Sequence, residues 1–399
     1  MNAGKSFKIN ESAGLLAALL FVVVFGFAES AVAQQPQRAQ VTILQTTDLH
    51  GHIYPVDYYT NQPDMNGLAK AATIINQARR GKPDLLLLDS GDTIQGTPLV
   101  YYHNTKNNAP VDPMMLVMNA LKYDAMAVGN HEYNFGLKVL EKARSEAKFP
   151  WLSANTYRRG TNQTAYEPYI VRETSGVRVG ILGLTTPGIP NWENPENYAG
   201  LEFRETVSEA KRWVRVLREK ERVDVVVIMM HMGLEADLRT GEINPGQVQN
   251  ENQAQAIAEQ VPGVDCILMG HTHREVPALF INNVLLTQAD KYADRLARVD
   301  FYLEKTASGR WRMTAKSART LAIDEKVAPD AEVLKLAAPY DGETQSWLGR
   351  VIGESPAELT AADARFRDTA ILDLIQRVQM ETGQADVSMA ASFNPQARL

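Results

Sequence analysis

Short apolar runs rich in valine, isoleucine and leucine alternate with longer amphipathic stretches from residue 41 to about residue 330. Most of these runs are unbroken, as strands that are buried on both faces of a sheet usually are. The rhythm of strand, helix and strand predicts an α/β domain. The predicted strands cover residues 41–45, 85–88, 125–128, 177–184, 223–230 and 264–269. The predicted helices cover residues 68–80, 113–123, 137–147, 206–221 and 252–260.

The charge of the chain bears on the partners it can bind. Its 399 residues carry a formal net charge of −6, and they contain no long basic run. Proteins that bind nucleic-acid polymers use clustered lysine and arginine, so this class is disfavoured. A small anionic substrate remains compatible with the composition, because bound divalent cations can reverse the local charge.

Residues 1–33 have the pattern of a secretory signal peptide. Lys5 and Lys8 precede an apolar run over residues 13–28, and a small-residue cleavage pattern ends at Ala33. Cleavage would leave no stable membrane span and would place the protein in the periplasm or outside the cell. The alternative is an uncleaved anchor, although the run is short against the ~20 residues that span a bilayer.

Cys266 is the only cysteine, so an internal disulfide is excluded. Its apolar neighbours predict a core residue and not a nucleophile. A single buried thiol is tolerated in any compartment, so the prediction of export rests on the leader alone.

Prolines and a glycine after residue 325 indicate where the first domain ends. That domain is predicted to cover residues 41–325, and residues 326–345 are predicted to form a partly helical linker. Residues 346–399 are few for an independent domain, so we expect them to be the start of a second domain that the chain cuts short. Within them we expect strands over residues 347–354 and 386–389 and a helix over residues 370–382.

Side chains that can bind metal follow the first predicted strand. Asp48 and His50 are two residues apart, so in extended backbone they point to the same side. A carboxylate beside an imidazole is a good start for a divalent-metal site, although this pair alone is a weak signal. His52 is interpreted as a surface residue or as one that supports the ligands from behind.

Two further motifs follow the next two strands. Gly91 lets the backbone turn before Asp92, whose two carboxylate oxygens can bridge two cations. Without the other motifs, a plain turn at a strand end would be the favoured interpretation. Asn130 offers a hard, neutral carbonyl oxygen, whereas the adjacent His131 points elsewhere and could act on a substrate.

The remaining histidines follow the last two predicted strands. A lone histidine such as His231 is more often a satisfied core residue than a ligand. His271 and His273 are again two residues apart, so they can face one site, and Gly270 clears room for the turn before them.

Together these motifs place seven nitrogen and oxygen donors at the carboxyl ends of five predicted strands. In open α/β sheets, ligand-binding and catalytic sites form at this edge. So many donors without a cysteine exceed one tetrahedral site and suit two cations that share a carboxylate. The candidate metal ligands are Asp48, His50, Asp92, Asn130, His231, His271 and His273.

The order of these motifs resembles that of the calcineurin-like metallophosphoesterases. The strings that carry the likeness are TTDLHG at 46–51, GDTIQGTP at 91–98 and GNHEYNFG at 129–136. The chain is similar in particular to secreted 5′-nucleotidases and 2′,3′-cyclic-nucleotide phosphodiesterases/3′-nucleotidases. The resemblance implies a metallophosphoesterase α/β sandwich, followed by the start of a second α/β domain of the 5′-nucleotidase carboxyl-terminal type.

The resemblance also implies a role for each candidate and a nucleotide substrate. His131 would lie over the phosphate, where it stabilises the transition state or helps the leaving group. Two divalent cations, of manganese, zinc, cobalt or magnesium, would activate a hydroxide for the attack. Their ligands would be Asp48, His50, Asp92 and His273 for one cation, and Asp92, Asn130, His231 and His271 for the other.

Two further positions correspond to residues with a known role in the family. The 5′-nucleotidases have an aspartate where this chain has Asn134, and that aspartate orients the histidine. Asn134 cannot supply the charge, and asparagine here is expected of the cyclic-phosphodiesterase branch. Arg398 lies near the place of an arginine that binds phosphate in the family's second domain.

Alternatives from different classes remain open. The chain could be a plain 5′-nucleotidase, or another hydrolase of the superfamily that acts on nucleotide sugars or sulfur esters. It could also be a non-catalytic, exported metal-binding protein. The presence of His131 argues against this last alternative, because a pure binder has no need of an extra histidine.

Overall fold

The computed structural model describes residues 1, 36–237, 239–243, 246–392 and 394–398. Apart from its first residue, the predicted signal peptide lies outside the described residues. Strands β1 to β16 cover Arg38–Thr46, Val56–Asp57, Gln62–Pro63, Leu86–Asp89, Ala125–Ala127, Trp151–Leu152, Thr156–Arg158, Tyr169–Thr174, Val177–Thr185, Leu201–Phe203, Val225–His231, Cys266–Met269, Glu275–Ile281, Val284–Ala289, Arg295–Lys305 and Trp311–Ala322. Helices α1 to α8 cover Leu68–Gly81, Pro98–Thr105, Pro113–Ala120, Gly136–Glu146, Thr206–Arg215, Ala254–Gln260, Ala331–Leu348 and Ala370–Gly383.

Two six-stranded sheets form the centre of the fold. The first has the strand order β16-β15-β1-β4-β5-β6, and the second has the order β13-β14-β12-β11-β9-β8. In the first sheet, β1, β4, β5 and β6 run parallel to one another, and in the second β9, β11, β12 and β14 do so. The outer strands β15, β16, β8 and β13 pair antiparallel to their neighbours. The chain therefore has the α/β fold that its sequence predicts.

The two sheets pack face to face, and helices cover their outer faces. Between the sheets, Ile43 and Leu88 of the first meet Ile181 and Val227 of the second in one buried cluster. Helices α1 to α4 and α7 cover the outer face of the first sheet, and α5 and α6 cover that of the second. Because both faces of the central strands are covered, their sequences are unbroken apolar runs. Cys266 is buried between the sheets as predicted, and burial raises the pKa of its thiol.

Helix α7 occupies most of the predicted linker. The side chain of Asp330 caps it by accepting the backbone N–H groups of Glu332 at 3.0 Å and Val333 at 3.1 Å. Val333 is buried against the core, and Pro339 lies inside the helix. Capping and packing thus outweigh the breaker signal that suggested a connecting segment.

The two strands predicted near the carboxyl end do not form. Trp347 and Leu348 end helix α7, so the strand over residues 347–354 does not form. Residues 386–389 also form no strand, since within the described chain they have no partner strand, and Val387 and Met389 are exposed. The predicted helix over residues 370–382 is confirmed as α8.

Candidate active site

The first group of metal-binding side chains consists of Asp48, His50 and His273, whose donor atoms all lie within 4.8 Å of one another. The Nε2 atom of His273 lies 3.1 Å from His50 Nε2 and 3.4 Å from Asp48 Oδ1. The Nδ1 atom of His50 lies 3.0 Å from the carbonyl oxygen of Gln95, so Nδ1 carries the proton and Nε2 presents a lone pair. Nitrogen lone pairs that converge beside a carboxylate fit a divalent cation.

The second group consists of Asp92, His231 and His271, again with donor atoms within 4.8 Å. The Nε2 atom of His231 lies 3.0 Å from Asp92 Oδ2 and 3.1 Å from Asn130 Oδ1. Its Nδ1 atom lies 2.7 Å from the carbonyl oxygen of Ser90. Nε2 is therefore the ring nitrogen of His231 that can bind a cation in the second group. Asn130 therefore adds a fourth donor to the second group.

His271 has a partner outside the group. Its Nε2 atom lies 2.9 Å from Glu251 Oε1, which leaves Nδ1 for the second group. The ring also lies beside Trp192, with 5.5 Å between the ring centroids. A carboxylate on the far nitrogen of a histidine fixes its tautomer and raises its basicity as a ligand.

Asp92 joins the two groups. Its Oδ2 atom lies 3.0 Å from His231 Nε2 and 3.8 Å from His50 Nε2. Burial by itself would raise the pKa of Asp92, but the neighbouring His231 and His131 hold that pKa well below its usual range. Burial likewise opposes charge on His231, yet Asp92 raises the pKa of His231 to about 10. A proton on His231 balances Asp92 in the absence of metal, and a bound cation would displace it.

Five of the seven candidate ligands have a left-handed, strained backbone. The backbone φ is positive at Asp48 (50°), His50 (45°), Asp92 (60°), His271 (71°) and His273 (50°). Such conformations cost roughly 1–3 kcal/mol each and cluster at functional sites. Hydrogen bonds between the turns hold them, including Asp48 N–H to the carbonyl oxygen of Gly91 at 2.9 Å.

This backbone corrects the inference drawn from the two-residue spacing alone, whereas the ligand sets implied by the resemblance already put the two histidines in different groups. His271 and His273 do not face one group, because the left-handed turn breaks the alternation of an extended strand. His273 joins the first group, and His271 joins the second. Asp48 and His50 do share a group, although the backbone there is not extended either.

His131 lies beside the two groups. It begins a 3₁₀ turn over His131–Tyr133, and its backbone N–H donates to Asp92 Oδ1 at 2.8 Å. Its ring centroid is 5.3 Å from that of His50. The ring lines a cavity of about 450 Å³ together with His50, Tyr58 and other residues. A substrate in this cavity would therefore meet His131 and the first group at once.

His52 and Tyr292 lie beside the first group and line the same cavity. Their rings stack with 4.1 Å between centroids, and Tyr292 lies edge-on to His50 at 5.7 Å and to His273 at 5.9 Å. The Tyr292 N–H also donates to the carbonyl oxygen of Asp48 at 2.8 Å. Burial lowers the pKa of His52 to about 4, so this ring is neutral at pH 7.

Several residues that support the ligands are not predicted from the sequence. Glu132 is buried and accepts backbone N–H groups of the turn that carries Asp92. The only signal for it is its place in the third motif. Tyr292 and Glu251 lie in segments without a motif, so only the fold brings them to the site.

Arg398 is not brought to the cluster. Its Nη1 atom lies 3.7 Å from Glu358 Oε1, and both side chains are largely exposed. It is not among the residues that line the cavity beside His131.

Residues 41–275 match the family model described as calcineurin-like phosphoesterase. The chain belongs to this family. Among curated relatives, a 2′,3′-cyclic-nucleotide 2′-phosphodiesterase/3′-nucleotidase from Yersinia enterocolitica is 28% identical over 377 residues, which cover 86% of this chain and 56% of the relative. The protein UshA from the same species is 28% identical over 94% of this chain and 72% of its own length. The chain thus spans about half the length of the first of these curated relatives.

Two solved structures have a similar fold. The calcineurin-like phosphoesterase YfkN from Bacillus subtilis is 27% identical, with a TM-score of 0.71 over 79% of this chain and 100% of that one. A 5′-nucleotidase precursor from Thermus thermophilus shares the fold, with a TM-score of 0.65 over 87% of this chain and 67% of that one, at 24% identity. Among the described residues of this calcineurin-like phosphoesterase, none of the helices combines the length and apolarity needed to cross a membrane.

Proposed function

We propose that the chain hydrolyses phosphate esters of nucleotides with two divalent cations, and that 2′,3′-cyclic and 3′-esters are its preferred substrates. One observation carries the proposal. Two metal-binding groups share Asp92, and His131 stands beside them on the wall of a cavity. A protein that only stores or senses metal has no use for a histidine in that position.

The residues fit a dinuclear centre. Asp92 would bridge, because its Oδ2 atom lies within 4 Å of a histidine nitrogen from each group. When bound, the cations supply Lewis-acid activation of the phosphoryl group and a low pKa for the attacking water. The oxygen and imidazole donors, with no cysteine, suit manganese, zinc, cobalt or magnesium. The proposed ligands are Asp48, His50, Asp92 and His273 for one cation, and Asp92, Asn130, His231 and His271 for the other.

His131 is the proposed catalytic side chain. Its Nδ1 atom lies 2.6 Å from Asn134 Oδ1, so Nδ1 carries a proton and Nε2 is the atom left for the substrate. When Nε2 also carries a proton, the ring can donate that proton to the leaving oxygen or stabilise negative charge on the phosphoryl group, while Nδ1–H keeps its hydrogen bond to Asn134. Such a group contributes typically 10²–10⁴-fold to a rate.

The choice among nucleotide esters rests on relatives and on one residue. Several curated relatives at 28% identity are named 2′,3′-cyclic-nucleotide 2′-phosphodiesterase/3′-nucleotidase. Asn134 stands where the resemblance to 5′-nucleotidases predicts an aspartate, which favours the cyclic and 3′ esters. The leader-like residues 1–33 support a periplasmic or secreted location for this activity. We assign the chemistry to residues 41–325 and keep residues 326–345 and 346–399 as the predicted linker and start of a second domain.

A direct assay tests the proposal. The purified chain is given 5′-AMP, 3′-AMP and 2′,3′-cyclic AMP side by side, with Mn²⁺ or Co²⁺ and then with excess chelator. We expect metal-dependent turnover that is fastest with the cyclic or 3′ ester. A preference for 5′-AMP would transfer the assignment to a 5′-nucleotidase. Two bound cations per chain without turnover of any ester would contradict the proposal and favour a metal-binding protein.

A further inference from the structure

Glu193 lies behind the residue that orients His131. The Nδ2 atom of Asn134 donates to Glu193 Oε2 at 2.5 Å, while Asn134 Oδ1 lies 2.6 Å from His131 Nδ1. The chain of contacts runs from a carboxylate through an amide to an imidazole. Glu193 comes from the loop after β9, so it reaches this site from a different part of the fold.

The carboxylate decides which way the amide of Asn134 points. A carboxylate ion only accepts hydrogen bonds, so the atom of Asn134 that faces it has to be the NH₂ group. The carbonyl oxygen then faces His131, and an oxygen there can only accept a proton from Nδ1. The neutral form of His131 is thereby held as the Nδ1–H tautomer, and Nε2 faces the cavity.

Glu193 is itself held in place. Its Oε1 atom accepts the backbone N–H of Asn194 at 2.8 Å and Asn197 Nδ2 at 2.8 Å. The same Asn197 NH₂ group also donates to the carbonyl oxygen of Asn134 at 3.2 Å. The carboxylate is half-buried, so its position is fixed by these donors and not by chance contact at the surface.

We propose that Glu193 is the positioning residue of the active site, which fixes the tautomer of His131 through the amide of Asn134. This inference rests on the proposed function. It explains how a site with asparagine at position 134 can keep a negative charge in line with the histidine. The carboxylate lies one residue further from His131 than an aspartate at position 134 would, and it acts on His131 through the two hydrogen bonds of the Asn134 amide.

The first test replaces the charge and keeps the shape. In Glu193→Gln an NH₂ group can face Asn134, which allows the amide to turn and to present its own NH₂ group to His131 Nδ1. We expect kcat to fall roughly 10–100-fold, with KM and metal content unchanged. The matched control is Glu196→Gln, an exposed glutamate three residues further along the same segment, which should keep the wild-type kcat.

The second test moves the charge. Asn134→Asp alone puts two carboxylates within hydrogen-bonding distance and should lower kcat. In the double variant Asn134→Asp/Glu193→Gln, the new carboxylate faces His131 directly, and the amide introduced at position 193 can donate to it. We expect the double variant to be more active than either single variant and to approach wild-type kcat. A purely structural role for Glu193 predicts instead that the two losses multiply, and that result would overturn the proposal.

A third readout needs no turnover. Nitrogen NMR of ¹⁵N-histidine-labelled chain, loaded with diamagnetic Zn²⁺ and assigned with His131→Ala, reports which ring nitrogen carries the proton. We expect Nδ1–H in the wild type and a population of Nε2–H in Glu193→Gln. The same tautomer in both proteins would refute the role of Glu193. If the wild type turned over no ester, the proposed function would fail, while the NMR comparison would still decide the role of Glu193.

Discussion

The carboxylate of Glu132 lies behind Asp92 and accepts its backbone N–H group at 2.9 Å. The same side chain accepts the N–H groups of Thr93 at 2.6 Å, Ile94 at 3.3 Å and Gly129 at 2.7 Å. Burial, and then the charge of Asp92, raise the pKa of Glu132. One buried side chain therefore holds together the turns that present Asp92 and Asn130.

Glu132→Gln should loosen this arrangement. Both oxygens of Glu132 accept backbone N–H groups, so the new NH₂ group must face at least one of these donors. Two donors cannot form a hydrogen bond, and the backbone N–H is left without its acceptor. We expect the free energy of unfolding to fall by roughly 1–3 kcal/mol. We also expect metal affinity to fall roughly 10–100-fold. Urea unfolding and metal titration check both values against Glu196→Gln. Wild-type stability together with wild-type metal affinity would show that Glu132 does not hold Asp92.

Asp92→Asn should abolish turnover of every ester. The amide lacks the second anionic oxygen, so it cannot serve two cations, and it no longer balances charge on His231. We expect metal content to fall at both positions, as measured by elemental analysis after dialysis. Asp363→Asn, an exposed carboxylate, is the control and should keep both cations. Near-normal activity in Asp92→Asn would refute the shared-carboxylate assignment.

His131→Ala and His231→Ala should separate chemistry from metal binding. His131 belongs to neither metal-binding group, so its loss should lower kcat by roughly 10²–10⁴-fold and leave metal content intact. His231 is a member of the second group and is fully buried, so its loss should reduce metal content as well. Loss of metal from His131→Ala would make that residue a ligand and remove the catalytic assignment.

The sequence predicts much of this site because of one physical regularity. Donor residues that follow buried parallel strands must collect at one edge of the sheets, whatever the loops between them do. Asp48 after β1, Asp92 after β4, Asn130 after β5 and His271 after β12 follow this rule, and His231 ends β11 itself. The structure brings all of these residues to the two metal-binding groups.

The rest depends on contacts that no local pattern encodes. The left-handed turns at His271 and His273 send the two rings to different groups, and period-two reasoning cannot anticipate that. Glu193 and Tyr292 reach the site through the tertiary fold. The antiparallel strands β15 and β16 are not predicted either. Residues along Trp311–Ala322 are only partly buried or exposed, so the apolar run that marks a central strand is missing.

Asp112, which belongs to neither metal-binding group, should make stability depend on pH. Its Oδ1 atom caps helix α3 by accepting the N–H groups of Met114 at 2.9 Å and Met115 at 3.0 Å. Burial raises its pKa to about 6, above the ~3.9 of an unfolded chain. The folded state therefore favours the protonated acid. This contribution to stability is complete below about pH 4 and is lost as the pH rises through 6.

Asp112→Asn keeps the capping oxygen and removes the titration. Relative to the wild type, we expect this variant to gain roughly 1–3 kcal/mol in the free energy of unfolding between pH 4 and pH 8. The buried His103, 4.0 Å from Asp112, is present in both proteins, so its own titration largely cancels in the difference. Urea unfolding across this pH range measures the effect. Asp363→Asn, at an exposed position, is the control, and its difference from the wild type in the free energy of unfolding should not change with pH. A difference that stays constant with pH, or that shrinks as the pH rises, would show that the Asp112 carboxyl group is not held in its protonated form by the fold.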